Sequence, residues 1–491
     1  MFRSALTLAL MLPVLSVGQE QHNHPAPEKL GTVSFPTSCK PEVQQEFNRA
    51  VALLHSFTYR EADAGFQRVA LKDPQCAIAH WGSAMTHYHQ LWDLPPSAAD
   101  TAAARQEVRQ AISLASSERE KGFILALSLV FNEPETVPYV TRALNYEAAM
   151  QRLALANPDD VETQVFYALA LVSNASPADR EHRRQKQAAE ILQPLFQRYP
   201  DHPGIPHYLI HAYDNQELAS RGLPAARVYA GIAPSAPHAL HMPSHIFTRL
   251  GLWDDSIASN LAARKAAHDQ GDTGEELHAM DYLVYAYLQS GRDREAAQVL
   301  QQLKAMQPLR MNDFKIGYAA TAMPVRYIVE RRQWSEALNI ADPQEPALPY
   351  VVAISVWARG MGLAHTGRVG EADKHVATLQ QLQDKLNAAG NSYWAAQVDI
   401  MRREIAAWSA QSANHPHEAV TVLSKAADDE DAIEKLPVTP GPIVPAREQL
   451  GELLLAQGDN TAAAKAFQTA LINAPGRRGA LQGAAQAAHT H

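Results

Sequence analysis

The chain has 491 residues, of which 46% are hydrophobic and 19% charged, with 24 Gly and 31 Pro scattered rather than clustered. That balance excludes disorder and collagen, and the length exceeds what one hydrophobic core usually spans, which leaves several domains or a modular array. With 43 Lys and Arg against 52 Asp and Glu, the net charge of -9 argues against nucleic acid or an anionic membrane as the main partner.

At the N-terminus, Arg3, the apolar run Ala5 to Val17 and the small residues to Gly18 have the three regions of a secretory signal peptide. The expectation is a leader at 1–18, an N-terminal extension at 19–40 and a secreted or periplasmic protein. No other segment reaches the roughly 18 apolar residues of a membrane span. Cys39 and Cys76 are the only cysteines. In an exported chain they most simply form a disulfide, with a free thiol or a metal-ligand role as the alternatives. The terminal histidines, His22, His24, His489 and His491, read as frayed tails.

From Pro41 onward apolar residues recur at helical spacing and no alternating runs stand out, so the chain reads as all-α. Ala62, Phe66 and Pro74 are followed by Leu192, Leu195 and Pro200, then by Ala225, Tyr229 and Pro237. Leu283, Tyr287, Gly291, Ala296, Leu300 and Pro308 come next, then Gly367 and Ala372, and then Ala419, Leu423 and Ala426. Leu450, Gly451, Leu454, Gly458, Ala463, Phe467, Ala470 and Pro475 close the series. These spacings resemble the tetratricopeptide repeat, a helix-turn-helix of 34 residues. The resemblance implies a right-handed superhelical α-solenoid of antiparallel helix pairs over 41–491, in about nine or ten repeats. It also implies a concave groove suited to a peptide, a partner protein or a small molecule. One stretch departs from it. Asp428 to Pro445 is acidic and then proline-dense, and reads either as a long inter-helix loop or as a lid over the groove.

Histidines fall in phase with the repeat. Counted from Pro200, His207 and His211 occupy places 5 and 9 of a first helix; counted back from Gly251, His241 and His245 occupy the same places one repeat later. The family resemblance puts places 2, 5, 9 and 12 on the concave face, and the 3-and-4 spacing makes them one stripe. Four imidazoles bordering a small rectangle suit one transition-metal ion or a close pair, with Cu, Zn and Fe all compatible. In the following repeat His278, Asp281 and Tyr285 continue the stripe, as a further ligand, a carboxylate and a groove contact. Asp214, at place 12 of the first histidine helix, is a candidate ligand-orienting or catalytic carboxylate, with Asp281 and Glu276 as further candidate acids or bases. His55 and His89 are 34 residues apart as well; beside His80, His87, Trp81, Tyr88 and Trp92 they read as the other wall of a pocket or as an aromatic packing layer. His238, His268 and His365 read as surface or satisfied core groups. Arg326, Tyr327, Tyr393 and Trp394 have no certain phase.

The sequence carries no phosphate loop, no zinc-finger cysteine pairs and no nucleophile elbow. Tyr208 stands where a metalloprotease helix needs its glutamate. The expected function is therefore a solenoid that binds a transition metal through its histidines. It would be an oxidoreductase or a hydrolase on a small substrate, or a store for the metal. The competing reading is a metal-free scaffold for a protein or peptide partner.

Overall fold

The computed structural model describes residues 28–91 and 95–489. The predicted leader, His22, His24, Trp92 and His491 lie outside them. Within the described residues there are helices and turns but no strands, and each helix packs chiefly on its neighbours in the chain. The structure is the all-α solenoid of helix pairs that the repeat predicts.

The helices follow from the apolar stripe. In Asp293–Ala305 the buried residues are Ala296, Val299 and Leu303, a spacing that gathers them on one side of a 3.6-residue turn. Turn chemistry repeats as well. Gly251, Gly291, Gly367 and Gly458 each follow the first helix of a pair with φ between 69° and 81°, a left-handed conformation that glycine adopts without steric cost. Small residues permit close packing: a Cβ on Gly451 would stand 2.6 Å from the Phe467 ring. Among the described residues no helix is long and apolar enough to cross a membrane. Cys39 and Cys76 stand at disulfide distance, with Cα atoms 4.8 Å apart, tying the extension to the second helix pair.

Two features go beyond a simple stack. Both ends of the described residues return to the middle. The extension meets the central repeats where Thr32 N–H donates to Asp201 O at 2.9 Å and Ser235 N–H to Lys29 O at 3.2 Å. At the other end Trp253 Nε1–H donates to Gly476 O, and the fully buried Arg477 pairs with Glu330 at 2.9 Å and Glu448 at 2.7 Å. The second feature corrects the reading of 428–445. Asp428–Asp431 are the last turn of the helix Pro416–Asp431, because Arg447 pairs with Asp428 and Asp431, and Arg403 and Lys425 with Asp429. Only 432–445 is irregular, and it runs inward. Val438, Thr439, Pro440 and Gly441 are buried. Tyr282 donates to Thr439 O at 3.2 Å, and Arg326 to Pro442 O and Gly441 O at 3.0 and 3.3 Å.

Candidate metal centre

The first histidine helix, Gly204–Tyr213, is buried along its whole length, so His207 and His211, one turn apart, face an interior rather than solvent. The second histidine segment is Pro237–His241 followed by Pro243–Arg249. Pro243 lacks the N–H that would continue the ladder, yet Met242 keeps helical angles, φ -52° and ψ -37°. His241 and His245 therefore still stack one turn apart. His278 comes from the next first helix, Thr273–Gln289, whose N-cap Asp272 accepts from Glu275 N–H.

The side chains form two triads. His207, His211 and His238 offer ring nitrogens within 4.8 Å of one another, and so do His241, His245 and His278. All six residues are buried, His211 being the most exposed at 6%. Within the triads His207 and His211 face each other Nε2 to Nε2 at 3.2 Å, and His241 and His245 at 3.0 Å. The triads adjoin, with ring centres 5.9 Å apart for His211 and His245 and 6.1 Å for His238 and His241. Each triad thus takes places 5 and 9 from one repeat and place 2 from the next, instead of the rectangle of four that the sequence suggests.

An outer layer of oxygen acceptors orients these rings. His207 Nδ1–H donates to His55 O at 2.6 Å, His241 Nδ1–H to Asn260 Oδ1 at 2.6 Å, His245 Nδ1–H to Asp214 Oδ2 at 2.8 Å and His238 Nδ1–H to Glu275 Oε2 at 3.1 Å. Asn260 is oriented in turn, its Nδ2 donating to Ser256 O at 2.8 Å. Because each Nδ1 carries the proton, Nε2 is left with its lone pair directed into the triad. This is the arrangement by which proteins fix the tautomer of metal-ligating imidazoles.

The electrostatics agree. Burial, then the neighbouring imidazoles, hold His207, His211, His241 and His278 well below the usual histidine range. Burial brings His245 down to about 4, although Asp214 opposes it. Five of the six imidazoles are thus held neutral in the folded protein, a donor set suited to a divalent cation rather than to a proton. Asp214 is buried, which raises its carboxyl, but Lys435, Arg249 and His245 outweigh burial and hold it well below the usual carboxylate range. Its oxygens receive His245 and Lys435, at 2.8 and 3.0 Å, and Arg249 at 2.8 Å.

The other predicted residues fall in different places. His238, which the sequence suggests is a surface or satisfied core group, is buried with Glu275 as its partner and stands as the third member of the first triad. The spacing His238, His241, His245 is i, i+3, i+7, so the stripe that picked out the pair also contained it. The Asp214 carboxylate meets the triads at His245, and its backbone N–H caps the first histidine helix on His211 O at 3.4 Å. Asp281 faces Arg326 at 3.6 Å, and burial raises it to about 6 despite that guanidinium. Tyr285 lies between Arg326 and Arg477, 5.0 and 5.7 Å from its ring centre, and Glu276 pairs with Arg264 and the exposed His268. His55 sits behind the first triad; its ring bridges Glu162 Oε2 at 2.9 Å and Tyr208 at 2.9 Å, and Glu162 also takes His202 at 3.0 Å. His89 is further out, 4.5 Å from the Tyr59 ring. Tyr282, which the sequence did not single out, packs 4.8 Å from the His241 ring while its hydroxyl reaches the 432–445 segment.

No family model matches the chain, and no curated protein matches it. Among solved structures it is similar to the P58(IPK) TPR domain, at 13% identity over 91% of this chain and 98% of that one, TM-score 0.23. It is similar to a chain of the APC/C hetero-tetramer Cut9-Hcn1, at 13% over 94% and 78%, TM-score 0.36. It is also similar to a monomeric IFIT1 mutant with m7Gppp-AAAA, at 11% over 89% and 95%, TM-score 0.37.

Proposed function

We propose that the chain is a metalloprotein whose two histidine triads bind a pair of transition-metal ions, with copper first among Cu, Zn and Fe. The observation that carries this reading is the set of four outward Nδ1–H donors, each anchored on an oxygen, which leaves Nε2 atoms converging in two groups. Neither triad contains a carboxylate or a thiolate. Neutral imidazoles suit copper, zinc and iron better than hard ions such as calcium or magnesium, and copper stands highest in the affinity order of the divalent series. Three protein ligands per ion leave positions open, as catalytic sites require. The favoured activity is therefore oxidation of a small substrate at a buried metal pair, in an exported protein. The peptide-scaffold reading has less support, since the chain's own residues 438–441 are buried against Tyr282, Tyr318 and Arg326.

The test is metal analysis of the full chain purified without an affinity tag and equilibrated with Cu, Zn or Fe. One ion per triad is expected. His207→Ala should empty the first triad, His241→Ala the second, and the double variant both. Wild-type protein that holds no more metal than the double variant overturns the proposal.

A further inference from the structure

Arg249 and Lys435, which hold Asp214, also line a second space. It is a cavity of about 150 Å³ between the inward-running 432–445 segment and the helices Pro349–His365 and Ser392–Ser412. An apolar cavity of that size holds a molecule as large as benzene. Tyr318, Trp357, Tyr393 and Trp394 supply much of its wall, with Trp394 ring centres 5.7 Å from Tyr318 and 5.2 Å from Tyr393. Four acids face the same space; Asp431 and Glu434 are paired with Arg447 and Arg249, which leaves Glu404 and Glu430.

The charges around the cavity are unevenly matched. Its three basic residues are all committed elsewhere: Arg249 to Asp214 and Glu434, Lys435 to Asp214, and Arg447 to Asp428 and Asp431. Neither Glu404 nor Glu430 has an ion-pair partner among the described residues. Glu404 accepts from the Gln449 amide at 2.6 Å and lies within reach of the Trp357 indole N–H, and Glu430 accepts from Ala446 N–H at 2.7 Å, neutral donors only where a carboxylate has room for several. Burial raises both carboxyls, and their proximity raises Glu404 further. Aromatic faces attract cations through the ring quadrupole, and the attraction grows when the site is dry.

We infer that this cavity, walled by Tyr318, Trp357, Tyr393 and Trp394 and facing Glu404 and Glu430, binds a small organic cation, a primary ammonium on an apolar body no larger than benzene. The ammonium donates to the two carboxyl groups, its charge favouring the ionised form that burial alone disfavours, and its hydrocarbon lies against the rings. The site uses none of the imidazoles, so it stands or falls separately from the metal pair.

The test uses metal-free full-length protein and calorimetric titration with isobutylammonium and its neutral analogue isobutanol. Wild type should bind the amine at least tenfold more tightly than the alcohol. Glu404→Gln, which keeps an acceptor for Gln449, should remove most of that preference, and Ile400→Phe, which fills the cavity, should abolish binding of both. The wild-type comparison is decisive by itself: an amine bound no better than the alcohol, or not bound at all, overturns the inference. So does amine binding that is unchanged in both variants. Metal uptake by separate aliquots of the same preparations reports on the triads independently.

Discussion

Asn260 offers the sharpest test of how the second triad is built. Its side chain is fully buried, and its Oδ1 accepts the Nδ1–H of His241 at 2.6 Å. Asn260→Ala leaves that N–H buried without an acceptor, which costs about 1–3 kcal/mol. Outer-layer substitutions at metal sites lower affinity by roughly 10- to 100-fold, or about 1.4–2.8 kcal/mol at 1.4 kcal/mol per decade, so the two routes to the magnitude agree. The ion in the second triad should therefore weaken by one to two decades while the ion held by His207, His211 and His238 keeps its affinity. Asn260→Asp retains an oxygen at the same place and should restore binding. The assay is competition against a chromophoric chelator, with melting curves on metal-free protein to confirm folding. Unchanged affinities in the alanine variant, or equal loss at both triads, would refute the reasoning.

Three further outcomes are expected. Glu430 has its folded-state pKa raised from 4.5 to about 8 by burial and by Asp431, against the pull of Arg477 and Arg447 and with Glu404 nearby. The folded protein then binds more protons than the unfolded chain between those values, so stability is greatest at the acid end of that window and declines by up to about 1.4 kcal/mol per pH unit as pH rises through it; Glu430→Gln should make denaturant midpoints measured from pH 5 to 9 visibly flatter. The link between Cys39 and Cys76 spans 37 residues, and the chain-entropy relation assigns such a loop about 4 kcal/mol, so Cys39→Ser with Cys76→Ser should lower the urea midpoint and make it indifferent to reductant. Arg477→Met leaves Glu330 buried without a guanidinium and Glu448 with Arg332 alone and should cost about 3–5 kcal/mol, read as a lowered Tm, unlike Arg368→Met at an exposed pair.

The architecture was legible from a few landmarks, and the candidate site was legible in part. The period showed in Leu450, Gly458, Phe467 and Pro475, and the turn glycines at 251, 291, 367 and 458 share the left-handed backbone that their place requires. Phase alone brought His207, His211, His241, His245 and His278 into view. His238 stands at place 2, the same place that picks out His278, but it lacks a partner four residues away at the same register and so shows no pair of its own. Other features lay beyond a local pattern. Nothing within one repeat tells that Arg477 will reach Glu330, or that Glu162 will bridge His55 and His202, since those contacts depend on how the superhelix brings distant repeats together. The acidic run Asp428–Asp431 resembles a break in the sequence because its neutralising arginines, Arg403 and Arg447, come from other helices.

The return of both ends of the described residues to the central repeats alters how such a molecule should come apart. An open array of repeats frays from its tips, one unit after another, since each unit leans only on the next. Here the first and last segments clasp the middle, through Thr32 and Ser235 at one end and Trp253 and Arg477 at the other. Pulled by its termini, the chain should resist to a single high rupture force and then yield at once, like a buckled strap rather than an unwinding spring.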